Sequence, residues 1–143
     1  MGLSEDLRAA LAARVGTVVG VPAADHRAGE NLRFDPPIGD TWLRETLLFG
    51  ERSRLTMPAE GAWLLHTGLY LVDVFHPEDL GTVPADTLGD AILNAFADGQ
   101  QYTTPSGQLR VTRATRRGGF RNDGWYQVPV EIGWQIETVQ TVL

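Results

Sequence analysis

Between Gln127 and Glu137 apolar and polar side chains alternate almost without error. Val128, Val130, Ile132, Trp134 and Ile136 share one face, while Gln127, Pro129, Glu131, Gly133, Gln135 and Glu137 share the other. Successive strand side chains point to opposite faces, so a period of two describes a sheet packed on one side and accessible on the other. A helix would scatter the same residues around its circumference. The feature constrains the fold and supplies no chemistry.

At 143 residues the chain has the length of one ordinary domain, and residues 1–143 are read as a single unit. The apolar fraction of 43% and charged fraction of 21% suit a globular chain with a real core. No apolar run approaches the ~20 residues that span a bilayer, and the start, Met1-Gly2-Leu3-Ser4-Glu5-Asp6, is acidic, unlike a signal peptide. The expectation is a soluble protein with no membrane partner and no export signal of its own. The absence of cysteine excludes disulfides, thiolate metal sites and a cysteine nucleophile, and fits a reducing cytoplasm.

A net charge of -6 argues against general nucleic-acid binding, which needs a basic surface to neutralise phosphates. The charge is uneven, with seven arginines against fifteen acids in residues 1–100 and five against three in residues 101–143. All twelve basic residues are Arg. A GC-rich coding genome is the plain explanation; the aptitude of Arg for interface ion pairs is the alternative.

A first helix is expected from Ser4, a good N-cap, with Glu5 and Asp6 against the positive end of its dipole and Leu7, Ala10, Leu11 and Val15 as its apolar stripe. Residues 21–40 read as a long connection with at most a short extended piece around Asn31–Phe34, and Pro36-Pro37 excludes helix there. Trp42–Phe49 and Gly68–Phe75 are strands, the second with Tyr70, Val72 and Val74 on one face. The intervening Gly50–Thr67 is either a long functional loop or, if Ala62–His66 extends the second strand, a long hairpin with a projecting tip. Pro84–Asp98 is a second helix with Leu88, Ala91, Ile92, Ala95 and Phe96 facing the core and Gly99 as C-cap. Turn signals at Thr104-Pro105-Ser106-Gly107 and Asn122-Asp123-Gly124 pair Gln101–Thr103 with Gln108–Arg116 and lead into Trp125–Glu137. Without regular βαβ alternation, this order implies an α+β two-layer sandwich, with a mixed, mostly antiparallel sheet of four to five strands and two main helices packed on one face.

Sites of chemistry are sparse. His26, His66 and His76 lie in no HExxH or HxE pattern, and Asp73 with His76 at a strand end is the one conceivable base or metal pair, a surface histidine being the plainer reading. Ser4, Ser53 and Ser106 fall in no nucleophile elbow, and Gly118-Gly119 lacks phosphate-cradling spacing. The stripe Asp86, Asp90, Asn94, Asp98 reads as a solvated helix face. No catalytic, cofactor or metal residues are assigned. The most unusual feature is the basic run Arg110, Arg113, Arg116, Arg117 and Arg121: a charged edge that resists aggregation, a docking surface for an acidic partner or, least favoured because so little of the surface is basic, a nucleic-acid contact. Trp134 and Trp42 are expected in the core, whereas Trp63 is either tucked under its loop or an interface anchor.

Several strings, in order, resemble the tail terminator (tail completion) family of long-tailed bacteriophages. They are Asn31-Leu32-Arg33-Phe34-Asp35-Pro36, Trp42-Leu43-Arg44-Glu45-Thr46-Leu47-Leu48-Phe49-Gly50, Gly68-Leu69-Tyr70-Leu71-Val72-Asp73-Val74-Phe75, Ala95-Phe96-Ala97-Asp98-Gly99 and Trp125-Tyr126-Gln127-Val128-Pro129-Val130-Glu131-Ile132. The resemblance implies a non-enzymatic virion protein without cofactors. It implies self-association as a homohexameric ring that caps the tail tube, ends its polymerisation and offers a surface to the head–tail connector. DNA only passes through such a ring. It implies a place in the virion tail after assembly in the host cytoplasm. The interface is expected at Arg52, Arg54 and Trp63 in the long loop and at Arg113, Arg116 and Arg117 in the basic hairpin. Another head–tail joining or minor tail protein, or a small-molecule-binding or hydrolytic domain using Asp73 and His76, are the alternatives.

Overall fold

Two fifteen-residue strands, Trp63–Pro77 and Trp125–Val139, pair antiparallel along their whole lengths and form the centre of the structure. In this computed structural model, which describes residues 2–142, the order is α1 (Leu3–Gly16), β1 (Arg27–Ala28), β2 (Trp42–Arg54), β3 (Trp63–Pro77), α2 (Val83–Ala95), β4 (Gln101–Thr104), β5 (Gly107–Arg116), β6 (Phe120–Asn122) and β7 (Trp125–Val139). The sheet runs β1-β2-β3-β7-β5-β4, with β6 also on β7, and only the β1–β2 pair is parallel.

The α+β class holds, but the four-to-five-strand two-layer sandwich does not. Seven strands form one curled mixed sheet, a half-barrel, with two helices. Two of the extra strands are too short to show a period: β1 has two residues and β6 three. Strand twist accumulates across a sheet this wide. Bulges between Phe49 and Arg52 and between Val111 and Arg113 bend it further. The extended piece in the 21–40 connection is Arg27–Ala28, not Asn31–Phe34; it lies parallel to Leu43–Arg44.

The even residues Val128 to Ile136 of β7 are all buried, as their alternation requires, and they meet Leu43 and Leu47 of β2, Tyr70, Val72 and Val74 of β3, and Leu109 and Val111 of β5. Leu7, Leu11 and Val15 of α1 and Leu88 and Ile92 of α2 close this core from one side. Each such side chain contributes about 1.5–3 kcal/mol by leaving water. Helix α1 begins at Leu3 behind Gly2, so Ser4 lies inside the first turn rather than capping it. Asp6 is buried and accepts a hydrogen bond from the Ser106 hydroxyl in the β4–β5 turn. Helix α2 ends at Ala95, and the Asp98 carboxylate beyond it accepts from the Ala114 N–H at 3.1 Å, covering part of the β5 edge.

The opposite sheet face is covered only at one end. There Trp42 stacks on Phe75 at 4.0 Å between ring centres, and Phe34 and Trp125 pack against Trp42. Trp42 is thus buried, in a second small cluster apart from the helix-side core.

One polar network lies against the main core. Arg27 donates from Nε and Nη2 to both Glu45 oxygens at 2.7 and 2.8 Å, and from Nη2 to the Ala12 carbonyl at 2.9 Å. The Tyr70 hydroxyl donates to Glu45 Oε1 at 2.8 Å. Burial, then the Glu45 charge, push the Tyr70 hydroxyl well above its ordinary value, so it stays a donor. The bonds that Arg27 donates to Glu45 likewise hold its guanidinium above the ordinary value. This network ties α1 and the 21–40 connection to the sheet.

Losing the Glu45 carboxylate breaks hydrogen bonds to the charge of the partly buried Arg27, worth about 1.5–3 kcal/mol, whereas deleting one neutral donor costs about 0.5–1.5 kcal/mol. Urea unfolding of Glu45→Ala and Tyr70→Phe should reproduce that ordering, with Glu45→Ala far the more destabilised; equal midpoints would refute the role given to this network.

Candidate assembly surfaces

Beyond the helices the sheet continues as a three-stranded arm. β2 runs on to Arg54 and β3 starts at Trp63, so Gly50–Thr67 is a hairpin with a tip at Leu55–Ala62, and the end of β7 pairs with β3 as far as Val139. The tip is tied to the chain end by Gly61 N–H to Gln140 C=O at 3.0 Å and Gln140 N–H to Ala62 C=O at 2.7 Å. From Leu48 to Gly61 every residue is exposed.

Register decides which arm residues act together. Arg52 lies across from His66 and Arg54 across from Leu64, on the helix side of the sheet. Trp63 points to the other face, across from Val139, and Leu55 joins the same row through its N–H bond to the Trp63 carbonyl at 2.7 Å. Leu55, Trp63 and Val139 are 49%, 46% and 52% exposed, so three apolar side chains stand in a line with nothing over them. A trough of about 370 Å³ beside Trp63 is lined by Gln101, Gln108, Arg110, Gln135 and Glu137. The two arm arginines and Trp63 therefore occupy opposite arm faces. Leu55 and Val139 were not singled out in the sequence, although Val139 continues the same two-residue period past Glu137.

The basic hairpin is also divided between faces. Before the bulge, Val111 faces the helices with Leu109; after it, Ala114 and Arg116 do, because one extra residue shifts the phase. Arg116 meets Asp86 at 2.5 Å and Asp90 at 3.3 Å on α2. Partial burial works against its charge, but the hydrogen bonds and charges of those carboxylates hold its guanidinium above the ordinary value. The acidic stripe of α2 is in this respect a partner for Arg116 rather than a wholly solvated face. Arg117 reaches Glu131 at 3.0 Å on the outer face, and Arg121 reaches Asp79 at 2.8 Å. Arg113, Arg52 and Arg54 are exposed and, among the described residues, form no ion pair.

The residues considered for catalysis do not converge. Asp73 is buried on the outer face and receives Arg44 at 3.2 Å. His76 has the opposite strand parity and shares a hydrogen bond of 2.7 Å with Thr41. His66 Nε2 lies 2.8 Å from the Thr138 hydroxyl; burial, then the charge of Arg52, lower its pKa below the ordinary 6.5. No group of three or more His, Cys, Asp or Glu side chains suited to a metal occurs among the described residues, and no helix there is long and apolar enough to cross a membrane.

The model for phage tail terminator proteins matches residues 6–134. The chain belongs to the phage tail terminator family. Its members are structural proteins of the virion, and a tail-related structural role follows for this one. Solved structures share the fold of this family member. One, 22% identical, covers 99% of both chains with a TM-score of 0.69. Another, from the virion of a native gene transfer agent particle, is 15% identical and covers 95% of this chain and 98% of its own with a TM-score of 0.56. No curated protein matches the sequence.

Two outcomes follow from this placement. Arg116→Ala should lower stability by about 1 kcal/mol, the size expected of a half-exposed ion pair, while Arg113→Ala leaves the denaturant midpoint unchanged; the reverse pattern would show that the bulge phase is misassigned. Because His66 is depressed in the folded state, its contribution is complete above pH 6.5 and is lost as pH falls from there towards the lower folded value. A His66→Asn variant should lack that part of the stability–pH curve.

Proposed function

We propose that this protein forms a ring, a homohexamer in our reading, that caps the phage tail tube, stops its polymerisation and presents a surface to the head–tail connector. The family match over residues 6–134 carries the reading. The arm supports it, since a subunit that leaves Leu55, Trp63 and Val139 uncovered has surface suited to a neighbour. None of this requires bond-making. The surfaces are proposed to include Arg52, Arg54 and Trp63 on the arm and Arg113 on the outer sheet face, all exposed. Arg116 and Arg117 already meet Asp86, Asp90 and Glu131 in the same subunit, so their contribution to docking would act through the shape they hold.

Growth stops in this account because the ring exposes a face unlike that of a tube disc, and incoming tube subunits find no match. The connector meets that face instead, DNA passes through without being read, and assembly takes place in the host cytoplasm. A hydrolytic or ligand-binding domain is disfavoured by the separation of Asp73 from His76.

Electron microscopy of tail tubes with the purified protein should show a cap at one end only. Arg52→Glu combined with Arg54→Glu, or Trp63→Ser alone, should leave the subunit folded by circular dichroism and abolish that cap. Tubes that stay uncapped with wild-type protein would sink the proposal, and unimpaired capping by both variants would remove the arm from it.

A further inference from the structure

The helix-side face of the arm carries charge that the subunit does not answer. Arg52 and Arg54 stand there, across from His66 and Leu64, at positions about 7 Å apart along the strand. Most arginines of the chain meet a carboxylate of the same subunit. Arg14 donates to the Ala95 carbonyl at 2.9 Å, and Arg110 lies against the Gln101 amide. Arg52, Arg54 and Arg113 have no such partner among the described residues, and of these only Arg52 and Arg54 share a strand face.

The chain has eighteen acids against twelve arginines, yet none is placed here. Glu51 precedes Arg52 in the bulge and forms no ion pair among the described residues, and Glu60 at the tip accepts the Val142 N–H at 2.7 Å. Like charges side by side on a sheet are destabilising, so the folded subunit bears a small cost for keeping both arginines bare. The charge is felt inward as well: burial, then Arg52, lowers the pKa of His66.

Phe49 completes the patch. It lies on the same face, 49% exposed, with its ring edge-on to Trp134. β1 covers the outer edge of β2 only at Leu43 and Arg44, which leaves Phe49, Arg52 and Arg54 open from the side. The bulge between Phe49 and Arg52 interrupts that edge and discourages ladder pairing with another flat strand, so recognition falls to the side chains.

We infer that this face receives an acidic, extended segment of another protein, with carboxylates at alternate positions on Arg52 and Arg54 and an apolar side chain on Phe49. Alternate side chains of an extended segment share a face at the spacing of the two arginines, and the guanidinium fork takes a carboxylate bidentately. A nucleic acid would bring phosphates instead, but two bare arginines on a subunit of net charge -6 are too few to hold its backbone. The inference rests on the docking role proposed above for the arm and gives the chemistry of the partner at one of its faces.

The probe is a short dye-labelled peptide that alternates Glu with Thr around one Leu, followed by fluorescence anisotropy. It should bind the native protein, and less tightly as salt is added. Arg52→Gln combined with Arg54→Gln should weaken binding about tenfold, while Arg33→Gln, which removes an exposed arginine elsewhere, leaves it unchanged. The reversed pair, Arg52→Glu with Arg54→Glu, folded by circular dichroism, should lose this peptide and bind its Lys counterpart. No binding, equal binding of a peptide with Gln in place of Glu, indifference to the double substitution, or tighter binding of a short DNA duplex would each overturn the inference. Capping is scored separately by microscopy: wild-type protein that caps tubes but ignores the peptide keeps the capping reading and removes this one, and arginine-dependent peptide binding without caps does the reverse.

Discussion

The structure depends on the close approach of β3 and β7 at Gly68. A Cβ there would overlap the Leu48 carbonyl on one side and the Trp134 indole on the other. Because glycine leaves that space, the largest fully buried side chain in the protein lies flat over its own strand partner, closed at its edge by Phe49 with ring centres 5.7 Å apart. The neighbouring pair, Leu69 with Gly133, repeats the economy of bulk on the other face, where a Cβ at Gly133 would collide with the Thr112 hydroxyl in the bulge of β5. Two glycines in adjacent positions, each on a different strand, let three strands pack tightly enough for the sheet to curl. Glycine in a strand is ordinarily a weakness and is tolerated where another group must come close.

The length of the β3–β7 pair gives the arm its stiffness. The helices cover the middle of the sheet, yet pairing continues to Val139, so the part that projects is held by two backbone ladders rather than one. An isolated two-stranded hairpin is marginal in water, and a third strand changes that. Ala62, fully buried at the tip, and the bonds between Gln140 and the tip backbone fix its end. In the proposed docking role, a surface held this way would lose little conformational freedom when a neighbour binds, so more of the contact energy would appear as affinity.

Much of this was legible in the residues. The alternation in β7, the core stripes of both helices and the β4–β5 hairpin all follow from periodicity and turn chemistry, while the long hairpin is one of two readings that the residues leave open for Gly50–Thr67. The number of strands did not, since β1 and β6 have two and three residues and a period cannot be read from so few. Nor did the division of the arginine run. On an unbroken strand Arg110 and Arg116 would share a face; the bulge places Arg110 outside and Arg116 over α2. A bulge leaves almost no local mark in a sequence, yet it reverses every side chain beyond it. The network of Arg27, Glu45 and Tyr70 was hidden for a related reason. Its members are 18 and 25 residues apart in sequence, and each looks unremarkable where it stands.

The same geometry bears on how a small acidic protein could take the proposed place at the end of a tail tube. A net charge of -6 opposes association of identical copies unless opposite charges meet locally, and long-range repulsion between copies is screened beyond about 8 Å at physiological salt. What remains is decided by the short-range match of side chains at the contact. Arg52 and Arg54 on one arm face and Arg113 on the outer sheet face are exposed without an ion pair among the described residues, so any docking that buried one of them without an acid would be penalised. In the proposed ring, adhesion would then come from the apolar arm row and orientation from where those arginines meet acids.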